Sequence, residues 1–321
     1  MFKLSLTACS FLLKESHSQD KFHYLNEKIT IEKDDHVSEY TIKDMLISFF
    51  KKYTESADDT DKQKTFHCEF DNKYQGETED FFYVYTIIKS GSYGSASDIV
   101  DNPTKKVVYK IKANQTAEKP FYLYIIIPKD NKNVKVQKGM LFFQNVGPFG
   151  VKTITTDYMK EFFSNEFNIT LICKTIATKL FVERMLTKDK VLKLIMTKNH
   201  KSDDPADNIY RGYGSETKVL GHLQFSDNAW NRIKSKINNF SQGRFNLFEF
   251  DQVQYDTLKL NVDIGGRNRI VNMHNLENLS LIEAISDEIM AADGHAKKDL
   301  LLAHFEKVAG EYLKDMVLQV N

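Results

Sequence analysis

The sequence predicts an α+β fold of mixed and antiparallel sheets with flanking helices, in two domains, with a helical C-terminus. Three observations carry the prediction. Short apolar runs of strand length recur, at Phe2 to Leu13, Phe81 to Ile88, Phe121 to Ile127, Met140 to Val146 and Leu258 to Ile264. Helical spacing is confined to separate segments, the longest being the last, Lys297 to Leu318. The 321 residues are 41% hydrophobic and 12% aromatic with only five prolines, enough for packed cores and too few breakers for long linkers. The expected domains are residues 1–167 and 168–321. The second holds a basic strand–helix–strand unit (168–200) and the terminal helices, and the polar stretch Lys201 to Ser215 is the clearest break in composition.

In order, Phe2, Leu4, Leu6 and Ala8 alternate as a first strand. That reading outweighs a lipoprotein-like Leu6-Thr7-Ala8-Cys9 box, because no charged leader or long apolar run precedes it. Ile29 to Glu32 is a second strand. Ser38 can cap a helix bearing Ile42, Met45, Leu46, Phe49 and Phe50 and ending at Lys51-Lys52, where cations suit the helix terminus. Residues 54–65 read as a solvated loop, Phe66 to Phe70 as a strand, Gln75-Gly76 as a turn and Phe81 to Ile88 as an aromatic-rich strand. Gly91 to Ser95 has neither a Walker lysine nor the third glycine of a dinucleotide fingerprint, so it reads as a tight loop. Asp101 to Thr104 is a turn from which Lys105 to Lys112 returns.

The unbroken apolar run Phe121 to Ile127 reads as a central strand buried on both faces. Met140 to Val146 follows, then the Gly147-Pro148-Phe149-Gly150 turn, and a helix of Tyr158, Met159, Phe162 and Phe163 capped by Thr155 or Thr156. Ile169 to Ile176, Ala177 to Leu186 and Lys190 to Met196 form the basic strand–helix–strand unit. Ser226 can cap a helix with Trp230, Ile233 and Ile237. Phe245 to Phe250 is a strand, and Gly265-Gly266 turns the strand from Leu258 back into Arg267 to Met273. Two helices close the chain, Ser280 to Ala292 and Lys297 to Leu318.

The formal charge of +0 conceals an asymmetry. From Phe81 to His200 there are about 19 Lys+Arg against about 9 Asp+Glu, and both flanks are acidic. A basic middle in a neutral chain points to a polyanionic partner; double-stranded DNA is the partner that the resemblance given below implies. The candidate DNA-binding residues are Lys135, Lys138, Lys152, Lys160, Lys174, Lys179, Arg184, Lys188, Lys190, Lys193 and Lys198. Arg267 and Arg269, on one face beyond the glycine turn, are a second phosphate contact or plain turn charges.

Three widely spaced cysteines, Cys9, Cys68 and Cys173, fit a reducing, cytoplasmic compartment and exclude a disulfide framework. Nine histidines show no metal-ligand spacing, there is no Cys-x-x-Cys pair, and no Gly-x-Ser-x-Gly elbow is present. No cofactor, metal, catalytic residue or small-molecule substrate is expected. The alternative is a metal-dependent nuclease built from Glu216-x-Lys218 with Glu249, Asp251 and Asp263. A protein-interaction scaffold is a third reading. The stripe Leu301, Phe305, Val308, Tyr312 and Met316 packs on its own chain or on a second copy, and the expectation taken is a homodimer.

Pro120-Phe121-Tyr122-Leu123-Tyr124, the Gly147 to Gly150 turn with its helix, the lysine-bearing strand–helix–strand unit, the late hairpin and the terminal helix resemble the RexA-like phage-exclusion proteins and related abortive-infection subunits. The resemblance covers about half the chain, and the DNA-binding subunit of the Kiwa anti-phage defence system is similar. It implies sequence-nonspecific DNA binding as a sensor or effector of phage defence, alongside a membrane-protein partner.

Overall fold

The structure, a computed structural model, describes residues 3–16, 18, 21–33, 36–129, 136–175, 191–200, 214–221, 227–241, 248–263, 268–273 and 282–317. The fold is α+β, with a curled antiparallel sheet and a C-terminal helix. Contacts divide the chain into two units, Met1–Lys174 with Ala284–Asn321, and Thr175–Glu283. The division therefore falls at 174/175 rather than 167/168. The terminal helix belongs with the N-terminal half and not with residues 168–283.

In the first unit the chain runs β1 (Leu4–Glu15), β2 (Ile29–Lys33), β3 (His36–Tyr40), α1 (Ile42–Lys52), β4 (Ala57–Asp59), β5 (Lys64–Glu69), β6 (Gln75–Glu77), β7 (Phe81–Ser90), β8 (Ser97–Val100), β9 (Val107–Ile111), β10 (Lys119–Pro128), β11 (Gly139–Val146), β12 (Phe149–Gly150), α2 (Lys152–Phe167) and β13 (Ile169–Thr175). The second holds β14 (Val191–His200), β15 (Gly214–Gly221), α3 (Asp227–Ser241), β16 (Phe248–Phe250), β17 (Val253–Tyr255), β18 (Thr257–Asp263) and β19 (Asn268–Asn272). The chain then passes through β20 (Ile282–Ala284) and ends, among the described residues, in α4 (Lys298–Val317).

The large sheet is ordered β13-β1-β11-β10-β7-β5-β4. Its registers align Cys9, Leu141, Ile125 and Val84 on one face and Ala8, Phe142, Tyr124 and Tyr85 on the other. The first face packs on α1 and α2 in one core of buried side chains, Met45, Phe49, Phe162 and Phe163 among them. The second is covered by α4, whose Phe305 stacks on Tyr124 at 5.6 Å while Tyr312 meets Phe142 edge-on at 5.6 Å. Covering on both sides explains why β10 is apolar at every position from Phe121 to Ile127. Close packing also accounts for Gly139, which lies opposite Phe11 in register, where an added Cβ would overlap the Phe11 ring.

The second unit's sheet is ordered β15-β14-β18-β19. Leu194, Met196, Leu258, Leu260 and Val271 pack on Trp230, Ile233 and Ile237 of α3, all three expected on its buried stripe. β18 and β19 pair antiparallel with Asp263 opposite Asn268, as a hairpin requires, although Gly265-Gly266 lies outside the described residues.

Several local expectations are corrected. Helix α1 is capped by Thr41, in a reciprocal box with Asp44, and not by Ser38, whose backbone is paired with Ile31 in a hairpin. Helix α2 begins at Lys152 after Val151 without a side-chain cap, and Thr155 and Thr156 are buried inside it. The loop expected over 54–65 includes β4 and the start of β5, and Gln75-Gly76 belongs to a strand paired with β7. The helix expected from Ser280 to Ala292 does not form over its described part. That segment is β20 and one 3-10 turn, Asp287–Ile289, because Ile285 N–H donates to the carbonyl of Leu4 at 3.1 Å, a partner from the far end of the chain. The strand–helix–strand unit is also not a unit: β13 joins the large sheet and β14 the small one.

Candidate nucleic-acid interface

The thirteen candidate residues divide by what surrounds them. Lys135, Lys179, Arg184, Lys188, Lys190 and Arg267 lie outside the described residues, as does the helix expected over 177–186. Arg269 is on β19, opposite Val262 in register. Lys138 is exposed just before β11. Lys152 opens α2 half-exposed, Lys160 is exposed on the same helix, and Lys174 is exposed near the end of the edge strand β13. Lys152 and Lys160 converge electrostatically on Cys173 of β13. Burial pushes that thiol up to about 11, and both ammonium groups pull against the rise, Lys160 more than Lys152. Both lysines are carried by α2, two turns apart, and both act on the neighbouring strand β13.

Lys193 and Lys198 do not share a surface. Positions 194, 196 and 198 of β14 point to the side packed by α3 and positions 193, 195 and 197 to the other, since strand side chains alternate. Lys193 stands opposite Asn261, on the face that carries Ile195 and Lys259, whereas Lys198 stands opposite Glu216.

The ion pairs leave the charge asymmetry in place, two carboxylates and two lysines of the basic middle being paired with lysines and carboxylates of the N-terminal stretch. Three carboxylates of the basic middle are engaged by side chains of the acidic N-terminal stretch: Glu166 by Lys52 at 2.6 Å, Asp157 by Lys62 at 2.8 Å, and Glu118 by the His67 ring at 3.2 Å. Within 81–200, two lysines reach back to carboxylates of that stretch, Lys89 to Glu69 at 3.0 Å and Lys129 to Glu77 at 3.2 Å. Lys138, Lys152, Lys160, Lys174, Lys193 and Lys198 form no ion pair among the described residues.

The carboxylates of the nuclease alternative are dispersed or engaged. Lys218, on the same strand face as Glu216, binds Asp251 at 3.3 Å and lies over the Phe250 ring at 5.3 Å. Glu249 sits 3.8 Å from Lys236. Among the described residues no group of three or more His, Cys, Asp or Glu side chains is placed to hold a metal ion. No described helix is long and apolar enough to cross a membrane.

The candidate residues omit one exposed basic element, the β8–β9 hairpin with Lys105, Lys106, Lys110 and Lys112, although its return strand is expected from the sequence. The turn at Asp101 to Thr104 marked its tip, but Ser97 to Val100 is too short a run to read as a strand by itself.

No protein-family model, curated protein or solved structure matches the chain.

Proposed function

We propose that this protein binds double-stranded DNA without sequence preference, through lysines of the basic middle that contact phosphates. The observation that carries the reading is the partition of ion pairs. Asp157 and Glu166 are neutralised by lysines from outside the stretch, and Lys138, Lys152, Lys160 and Lys174, which form no ion pair among the described residues, keep their charge for an external anion. Backbone contacts of this kind orient a protein on a duplex and carry no base information. A role as sensor or effector subunit in phage defence, in the cytoplasm beside a membrane-protein partner, rests on the resemblance to phage-exclusion proteins and is part of the proposal, as is a homodimer.

The test is fluorescence anisotropy on a labelled duplex across a salt series. Each neutralised phosphate contributes about −0.9 to the slope of log K against log salt, so Lys152→Ala with Lys160→Ala flattens it by about 1.8. A salt-independent affinity overturns the reading. The same duplex held with magnesium or manganese stays intact for a binder, and cleavage would revive the nuclease.

A further inference from the structure

One surface of the first unit is left unexplained by phosphate binding. Of the eleven exposed large apolar side chains among the described residues, five belong to one small hairpin: Ile99, Val100, Val107, Val108 and Tyr109. Strands β8 and β9 pair only with each other, in a two-stranded sheet separate from the large one. Ile99 faces Tyr109 and Val100 faces Val107, with Val108 the extra residue where the register shifts. A two-stranded ribbon is marginal by itself, so its order must come from its ends. Both ends are tied. At the tip Asp101 accepts from the Thr104 N–H at 3.0 Å and from the Thr104 hydroxyl, and the Lys105 N–H donates to the Asp101 carbonyl at 2.8 Å. At the base the Gly94 N–H donates to Ala113 O at 2.8 Å, the Lys112 N–H to Gln115 Oε1 at 2.9 Å, and the Tyr109 hydroxyl to the same Gln115 oxygen at 3.1 Å. The apolar side chains are thus held out in water by a structured element.

Four exposed lysines surround them, Lys105 and Lys106 at the tip and Lys110 and Lys112 along the return. The hairpin's carboxylates are Asp98, opposite Lys110 in register, and Asp101, occupied by Thr104. Aliphatic side chains, a tyrosine and flanking lysines are the composition of an element that lies in a membrane interface. The apolar face sits at the headgroup–acyl boundary, the phenol at headgroup level, and the lysines reach lipid phosphates along their flexible stems.

We propose that the β8–β9 hairpin is a docking element for an anionic lipid surface, lying with the face of Ile99 and Tyr109 toward the acyl boundary, Val100 and Val107 on its other face, and Lys105 and Lys106 on the headgroup phosphates. A second copy of the chain fits less well. Two such ribbons would bring eight lysines together, and five partly exposed side chains present on the order of 400 Å2, about half of one partner's share in a standard interface. Duplex DNA would use the lysines but leave Ile99, Val100 and Val107 without an apolar environment. The assignment stands independently of the lysines on α2, β13 and β14.

The experiment is co-sedimentation of the full-length protein with vesicles of phosphatidylglycerol and phosphatidylcholine, against vesicles of phosphatidylcholine alone. Binding should be at least tenfold stronger to the anionic vesicles. The triple variant Ile99→Ser, Val107→Ser and Tyr109→Ser should lose it by tenfold or more with an unchanged circular dichroism spectrum. Lys105→Ala with Lys106→Ala, which leaves the apolar face intact, should weaken it by about fivefold per lysine. Three results overturn the proposal. They are no preference for anionic vesicles, retained vesicle binding in both variants, and a triple variant whose loss appears instead in duplex affinity or in a halved mass by light scattering.

Discussion

Replacing Phe305 by alanine separates a core helix from an interface helix. Phe305 is fully buried, stacked on Tyr124 at 5.6 Å and near Phe142 at 6.5 Å, in the layer where α4 covers the large sheet. Loss of the ring leaves a void on the order of 80 Å3, which at about 24 cal/mol per Å3 costs about 2 kcal/mol. The lost transfer free energy adds about 2 kcal/mol more, and a total near 4 kcal/mol is within the usual range for Phe→Ala. Domains are stable by only about 5–15 kcal/mol, so this is a large fraction. In a unit of this size each kcal/mol lowers Tm by about 2–4 °C, giving a drop of about 8–16 °C. Thermal and urea unfolding measure it, with light scattering on the same samples. A Tm within about 2 °C of the parent, together with a fall from twice the chain mass to 37.2 kDa, would refute the packing argument and put Phe305 between two chains. The homodimer of the proposed function must therefore use another surface, because Leu301, Phe305, Val308 and Tyr312 are already buried against their own chain.

Two further outcomes follow from buried titratable groups. Burial pushes Cys9 up to about 12 and Cys173 up to about 11, and raises Cys68 as well, so little thiolate exists at pH 8. Iodoacetamide should leave the native protein unmodified by mass spectrometry and add three groups once urea unfolds it; rapid native labelling of Cys9 or Cys68 would contradict the burial. His23 is half-buried with its pKa lowered, desolvation outweighing the opposing pull of Glu15. The folded state favours the neutral ring, so the unfolded chain takes up the proton first. This contribution is complete above the ordinary histidine value of about 6.5 and is lost as pH falls from there through the lower folded value. The gap in urea midpoint between pH 7.5 and 5.5 should narrow in His23→Gln, and an unchanged gap would remove His23 as its source.

What could be read from the chain alone was whatever depends on neighbours in sequence. Period-two alternation located β18 and the start of β1, and unbroken apolar runs located β10 and β11, because a strand's burial pattern is printed in its own residues. The buried stripe of α1, Ile42 to Phe50, was legible for the same reason, as was the lysine excess of the middle. Pairing with distant partners was not. Residues 282–289 have the composition of a helix end, yet Ile285 bonds to Leu4 and the segment extends instead. Lys193 and Lys198 look like one cluster, yet strand alternation sends them to opposite faces. The apolar stripe of α4 announced that it would be buried but not against what, since a sheet of the same chain and a second chain offer the same chemistry. Rings that β10 and β11 present on the open face of the sheet, Tyr124 and Phe142, decided that in favour of its own chain.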